Sequence, residues 1–223
     1  MSHGKQFTLY THGSGPNGWK TAIVLEELGL TYESVYLDFG KREHKAPDYL
    51  KVNPNGRIPA IVDHHNNDFV VWETLAILEY LVDKYDKDHK LSSTGQDKYI
   101  ELQWLAFQVS GQGRQCSPYF GQSAWFQKFH SEKIPSAIER YNNEIKRVFS
   151  VLDSVLSKQK YLVGEKVTIA DLSYITWNVA VLAWVLPDAD IEKNYPAFAR
   201  WHKELTEREA VKKVYAIRDS LSK

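Results

Sequence analysis

Strand-forming segments stop at residue 72 of this 223-residue chain, and every apolar pattern beyond that point has helical spacing. A chain that changes period in this way folds as a mixed α/β layer followed by packed helices, with one core for each. Within the first part, residues 7–11 read as a short strand, and turn chemistry fills residues 13–18. Val24, Leu25 and Leu28 then recur at helical spacing, and Gly29 stops the helix. Residues 32–37 alternate apolar and polar, giving a second strand. A βαβ unit of this kind makes a parallel strand pair with a right-handed crossover. Residues 44–50 predict a short helix, 53–57 a turn and 58–63 a strand. Residues 64–68 predict a hairpin turn, with Phe69-Val70-Val71-Trp72 as the returning strand. Thr74 opens a helix with Leu75, Leu78, Leu81, Val82 and Tyr85 on one face.

Residues 1–86 therefore spell βαβ–ββα, residues 87–97 form a charged, turn-prone linker, and residues 98–223 form an all-helical domain. Ile138, Tyr141, Ile145, Val148, Leu152 and Val155 step by three and four along one long amphipathic helix. Thr168-Ile169-Ala170-Asp171 resembles a capping box with Asp in place of Glu. Trp201, Leu205 and Val211 belong to further helices.

Charge narrows the function. Basic and acidic residues balance at 28 each, which argues against a nucleic-acid partner. Cys116 is the single cysteine, so there is no intramolecular disulfide and no Cys-x-x-Cys dithiol. No apolar run approaches the roughly 20 residues of a membrane helix, and the first residues lack a signal-peptide core. The expectation is a cytoplasmic protein acting on small molecules. His44, His64 and His65 lack metal-ligand spacing, so no metal is expected.

Three motifs point to a family. Asn53-Pro54-Asn55-Gly56-Arg57-Ile58-Pro59-Ala60, then Trp72-Glu73-Thr74 at a helix start, then Tyr161-Leu162-Val163-Gly164 running into Thr168-Ile169-Ala170-Asp171 resemble cytosolic glutathione transferases. A closer resemblance lies in Gly15-Pro16-Asn17-Gly18-Trp19-Lys20, Arg42-Glu43-His44-Lys45-Ala46-Pro47, Phe129-His130-Ser131-Glu132-Lys133-Ile134 and Ala137-Ile138-Glu139-Arg140-Tyr141. These are similar to transferases related to the yeast nitrogen-catabolite regulator and to bacterial nu-class transferases, which reduce disulfides with glutathione. The resemblance implies an N-terminal thioredoxin-like glutathione-binding domain, a C-terminal helical bundle and a homodimer. That regulator has an Asn-rich N-terminal arm and a long insertion before its Leu-Val-Gly motif. Neither stands in this sequence, which favours an enzyme over a non-catalytic glutathione- or ligand-binding regulator.

Glutathione presents a γ-glutamyl amino acid end, a thiol and a glycine carboxylate. Glu73 is placed to pair with the α-ammonium, and Thr74 to bind the adjoining carboxylate at a helix start. Glu73-Thr74 as a plain helix cap is the alternative. Arg140 is a further candidate for that carboxylate by resemblance, with a surface salt bridge as its alternative. Ile58-Pro59 is implied to be a cis step that turns the Ile58 main chain toward the cysteinyl backbone; Arg57 and His44 are candidates near the glycine carboxylate.

A free thiol ionises near pH 8.5, so the protein must stabilise the thiolate. Gly15 fills the position where omega-type enzymes carry Cys, and Ser14 the theta- and delta-type serine position. In the related class the asparagine equivalent to Asn17 lies beside the thiol, so Asn17 is the expected donor, with Ser14 as runner-up or partner. A turn or N-cap role for Asn17 stays open. Tyr10 reads as structural. Gln112, Arg114, Tyr119, Phe120 and Trp177 are candidate walls for a second substrate, a small electrophile or disulfide; Phe120 and Trp177 read equally well as core.

Overall fold

The computed structural model describes residues 4–112, 123, 127 and 130–221. Four strands, β1 (Phe7–Thr11), β2 (Tyr32–Tyr36), β3 (Ala60–Asp63) and β4 (Phe69–Trp72), form one sheet of order β2-β1-β3-β4. β2 runs parallel to β1, while β3 and β4 are antiparallel to their neighbours. Helix α1 (Pro16–Glu27) connects the parallel pair, and α3 (Thr74–Tyr85) follows β4. Phe7, Leu9, Ile23, Leu25, Ile61, Ile77 and Leu81 bury the core of this unit. Gly18 lets α1 lie against β1, because a Cβ there would overlap the Thr11 hydroxyl.

Two segments differ in detail from the sequence reading. The helix expected over residues 44–50 is split into a 3-10 turn at Glu43–Lys45 and α2 (Pro47–Val52). Ala46 between them is extended (φ −66°, ψ 145°), the conformation that a following proline imposes. The strand expected from residue 58 begins at Ala60, since Pro59 has no N–H to donate to the ladder.

The second unit is helical over its described residues: α4 (Asp97–Phe107), a π-helical turn at Gln108–Gln112, α5 (Pro135–Leu156), α6 (Ile169–Trp184), α7 (Ile191–Asn194) and α8 (Pro196–Thr206). Phe149, Leu152, Tyr174, Phe198 and Trp201 are buried among them. The capping box at Thr168 is formed as the sequence suggests. Asp171 there is fully buried and accepts from Thr168 N–H (2.9 Å), Leu162 N–H (2.9 Å) and Trp201 Nε1–H (2.8 Å). Much of the expected linker is held to this unit. Leu91 accepts from Ile169 N–H at 2.8 Å, and Lys166 Nζ donates to the carbonyls of His89 and Ser92.

Packing divides the chain after Asp88, and the last helix, α9 (Glu209–Ser220), belongs with the sheet unit rather than with residues 89–207. The sequence reading placed α9 in the helical domain. It packs on α1 through buried Val211 and Val214, and Arg208 and Lys213 pair with Glu27 and Glu26.

Candidate functional site

Sheet register brings the sequence motifs to one edge. Tyr10 of β1 pairs with Ala60 of β3, and Ala60 pairs with Trp72 of β4. These three residues form one row across the sheet. The loop 12–15 with the start of α1 follows Tyr10 closely, the cis-Pro step precedes Ala60, and Glu73 follows Trp72. Thr11 also pairs with Tyr36, so the segment leading to His44 leaves from the same rim. Ser14, Asn17, His44, Arg57, Ile58, Pro59, Glu73 and Thr74 are thus gathered by strand pairing, although up to 60 residues separate them.

Each part is locally fixed. The 12–15 loop is pinned by Gly15 N–H to the His12 carbonyl (3.1 Å) and by Trp19 Nε1–H to the Gly13 carbonyl (2.9 Å). Gly15 is the N-cap of α1, and Pro16 opens the helix at a position where its missing N–H costs nothing. A Cβ on Gly15 would stand 2.8 Å from Ile58 Cδ1, so the helix start and the cis-Pro step are in contact. Asn17 is half-buried in the first turn of α1, at the positive end of the helix dipole. No acidic residue occupies that turn.

Asn53 holds the Arg57–Pro59 segment. Its buried side chain donates to the Arg57 carbonyl (2.8 Å) and accepts from Asn55 N–H (3.0 Å), and Tyr49 Oη also donates to the Arg57 carbonyl. Gly56 has φ +59°, and a Cβ there would meet the His44 carbonyl at 2.7 Å. The ladder begins only at Ala60, which leaves the Ile58 main chain outside it. Arg57 is exposed.

Glu73 is exposed with φ +70° and ψ 125°, a left-handed backbone that a non-glycine residue adopts at a cost of about 1–3 kcal/mol. Buried Thr74 starts α3, so a second helix N-terminus opens at the rim. His44 is half-buried; burial, reinforced by Lys45, Arg57, Arg42 and His12, lowers its imidazole below the usual range. Cations and helix termini together suit an anionic ligand with one ammonium group.

Three residues escaped the sequence reading. His12 Nδ1 lies 3.1 Å from both Ser14 N and Ser14 Oγ, and its ring sits 4.5 Å from Phe39, which lies 4.3 Å from His44. Asn53 opens the Asn53–Ala60 motif. Lys20, one turn beyond Asn17 on α1, is buried, and burial lowers its ammonium to about 7. Tyr10 packs its ring 5.3 Å from Tyr49, in keeping with a structural role.

In the second unit, Arg140 lies exposed on α5. Gln112 and Trp177 lie in its interior, where Gln112 Nε2 donates to Asn178 Oδ1 at 2.6 Å. Arg114, Tyr119, Phe120 and Cys116 fall outside the described residues. Among the described residues no His, Cys, Asp and Glu cluster suits a metal ion, and no helix is long and apolar enough to cross a membrane.

A mixed sheet carrying a cis-Pro step at the rim, two helix N-termini beside it and a helical second unit define a class of glutathione-binding folds. Residues 5–83 match the glutathione S-transferase N-terminal domain and residues 116–209 its C-terminal domain. The chain belongs to the glutathione S-transferase family. It is 46% identical over 222 residues to glutathione S-transferase 1 of Schizosaccharomyces pombe, covering 94% of this chain and 95% of that protein. It is 35% identical over 241 residues to Protein URE2 of Debaryomyces hansenii, covering 92% and 76% respectively. The glutathione transferase URE2P6 of Phanerochaete chrysosporium, solved in complex with oxidized glutathione, superposes with a TM-score of 0.94 at 62% identity, over 99% of both chains.

Proposed function

We propose that this transferase activates the thiolate of glutathione, chiefly for reduction of small or mixed disulfides and also for conjugation to small electrophiles. The observation that supports the reading is the Tyr10–Ala60–Trp72 row, which brings the segments carrying the candidate residues Ser14, Asn17, Ile58, Glu73 and Thr74 to one rim. Glu73 takes the α-ammonium and the Thr74 helix start the adjoining carboxylate. The Ile58 main chain, which lies outside the β3 ladder, pairs with the cysteinyl backbone, and Arg57 and His44 bind the glycine carboxylate. The sulfur then lies at the start of α1, where the Asn17 amide donates to it and the helix dipole favours the anion.

In disulfide reduction, the glutathione thiolate attacks one sulfur of the substrate. An S–S bond forms as another breaks, and the second substrate sulfur leaves as a thiolate. A second glutathione then attacks the mixed disulfide, releasing oxidized glutathione and the remaining thiol, so two glutathione thiols supply both electrons. Gly15 stands where a cysteine nucleophile would sit, which favours this route over an enzyme-linked mixed disulfide. The oxidized glutathione bound by the P. chrysosporium relative fits the same chemistry.

Arg114, Tyr119 and Phe120 remain candidates for contact with the second substrate, whereas Gln112 and Trp177 are buried in the helical interior. We assign the protein to the cytoplasm as a homodimer, with exposed Phe69, Val70 and Trp72 on edge strand β4 as a surface suited to a second copy.

The test is glutathione-dependent reduction of hydroxyethyl disulfide by the purified protein. Turnover that falls at least tenfold in N17A is the expected result. Tight glutathione binding without turnover on this disulfide or on carbon electrophiles would replace the enzyme reading with a ligand-binding regulator.

A further inference from the structure

The hydrogen bonds of His12 determine where the Ser14 proton goes. Ser14 N–H is a backbone donor and points at His12 Nδ1 at 3.1 Å. A backbone N–H only donates, so Nδ1 must offer its lone pair, and the neutral ring carries its proton on Nε2. The contact between Ser14 Oγ and the same Nδ1, also 3.1 Å, must then use the hydroxyl proton. A serine hydroxyl has one proton, and directed at His12 it is not available to a thiolate. The ring itself is held in place by Phe39 at 4.5 Å, and Phe39 by His44 at 4.3 Å.

We propose that His12 is a positioning residue that keeps the Ser14 proton from the glutathione sulfur and leaves thiolate stabilisation to Asn17. The inference rests on the assignment of the sulfur to the start of α1. It adds a division of labour between two donors that are both within the first loop. An amide has two N–H donors, so an internal bond of Asn17 does not exhaust it, whereas the single hydroxyl proton of Ser14 is exhausted by one. Removing the acceptor at position 12 should therefore create a second sulfur donor.

The test compares the effect of N17A in two backgrounds, the parent protein and H12F, using the pKa of enzyme-bound glutathione read from thiolate ultraviolet absorbance. H12F keeps a ring for Phe39 to pack on and deletes the acceptor. In the parent protein N17A raises the bound thiol pKa by about one unit, a tenfold fall in its ionisation constant. With H12F the same substitution raises it clearly less, and adding S14A to that double variant restores the full rise. H12N supplies an Oδ1 acceptor two residues before Ser14, as in an Asx turn, and returns the parent behaviour; H12A, like H12F, does not.

An equal N17A effect with and without His12 overturns the proposal while leaving the site assignment intact. Failure of the parent protein to bind glutathione in calorimetry overturns both. Should H12F fail to fold, H12A against H12N decides on the same readout.

Discussion

Glu73 carries two separable features, a left-handed backbone and a carboxylate, and glycine at this position removes both with opposite consequences. The φ of +70° costs Glu73 about 1–3 kcal/mol. Glycine, with no Cβ, reaches that conformation at lower cost but gives up about 0.5–1 kcal/mol through the greater freedom of its unfolded chain. E73G is therefore expected to gain about 1 kcal/mol in unfolding free energy. It also deletes the carboxylate assigned to the α-ammonium of glutathione. A hydrogen bond to a charged group contributes about 1.5–3 kcal/mol, so the glutathione Kd should rise roughly ten- to a hundredfold. E73Q keeps the strained backbone and removes only the charge, so stability should hold while affinity falls. Urea unfolding midpoints and titration calorimetry read the two quantities separately. Opposite movement of stability and affinity in E73G is the signature expected. Undiminished affinity would remove Glu73 from the glutathione site, and a loss of stability would show that its backbone is relaxed.

Elsewhere, D171A strands the N–H donors of Thr168, Leu162 and Trp201 in a buried place. At about 1–3 kcal/mol for each orphan, the loss should be about 3–9 kcal/mol by urea denaturation, with D171N, which keeps one oxygen acceptor, roughly half as costly. A loss under 1 kcal/mol in D171A would refute that accounting. His202, packed parallel to Phe198, has its imidazole lowered by burial from 6.5 to about 4. Between those values the unfolded chain binds the proton and the folded one does not, so stability falls as pH drops, by up to about 2 kcal/mol at pH 5. H202F should flatten that part of the stability–pH profile, and an unaltered slope would exclude His202 as its source.

What could be read from the sequence was local. Gly29 stops α1, the Asn53-Pro54-Asn55-Gly56 turn stands before the cis-Pro step, and Thr168 with Asp171 caps α6, because each uses chemistry within a few residues. Boundaries moved where a single peptide unit decided them. Pro47 broke the helix expected over residues 44–50, and Pro59 delayed β3 to Ala60. The placement of α9 was hidden for a different reason. An amphipathic helix states that it has a buried face but not which surface covers it. The pairing of Arg208 and Lys213 with Glu27 and Glu26 crosses more than 180 residues.

The site shows the same division. Glu73, Thr74, Ile58 and Asn17 could be nominated one at a time from motif and resemblance, but their meeting depends on register. Shifting β3 by one residue against β1 would turn its side chains to the opposite face and move the cis-Pro step away from Gly15. His12 was missed because a lone histidine after a strand carries no pattern of its own. Its signal is the two-residue spacing to Ser14, the spacing at which a side-chain acceptor reaches a backbone N–H. That spacing gains chemical meaning only once a proton count is made. One acceptor faces an obligatory donor and a hydroxyl, so the hydroxyl is committed. Residue type nominated two donors for the sulfur, and the proposed choice of Asn17 over Ser14 rests on the two contacts between His12 and Ser14.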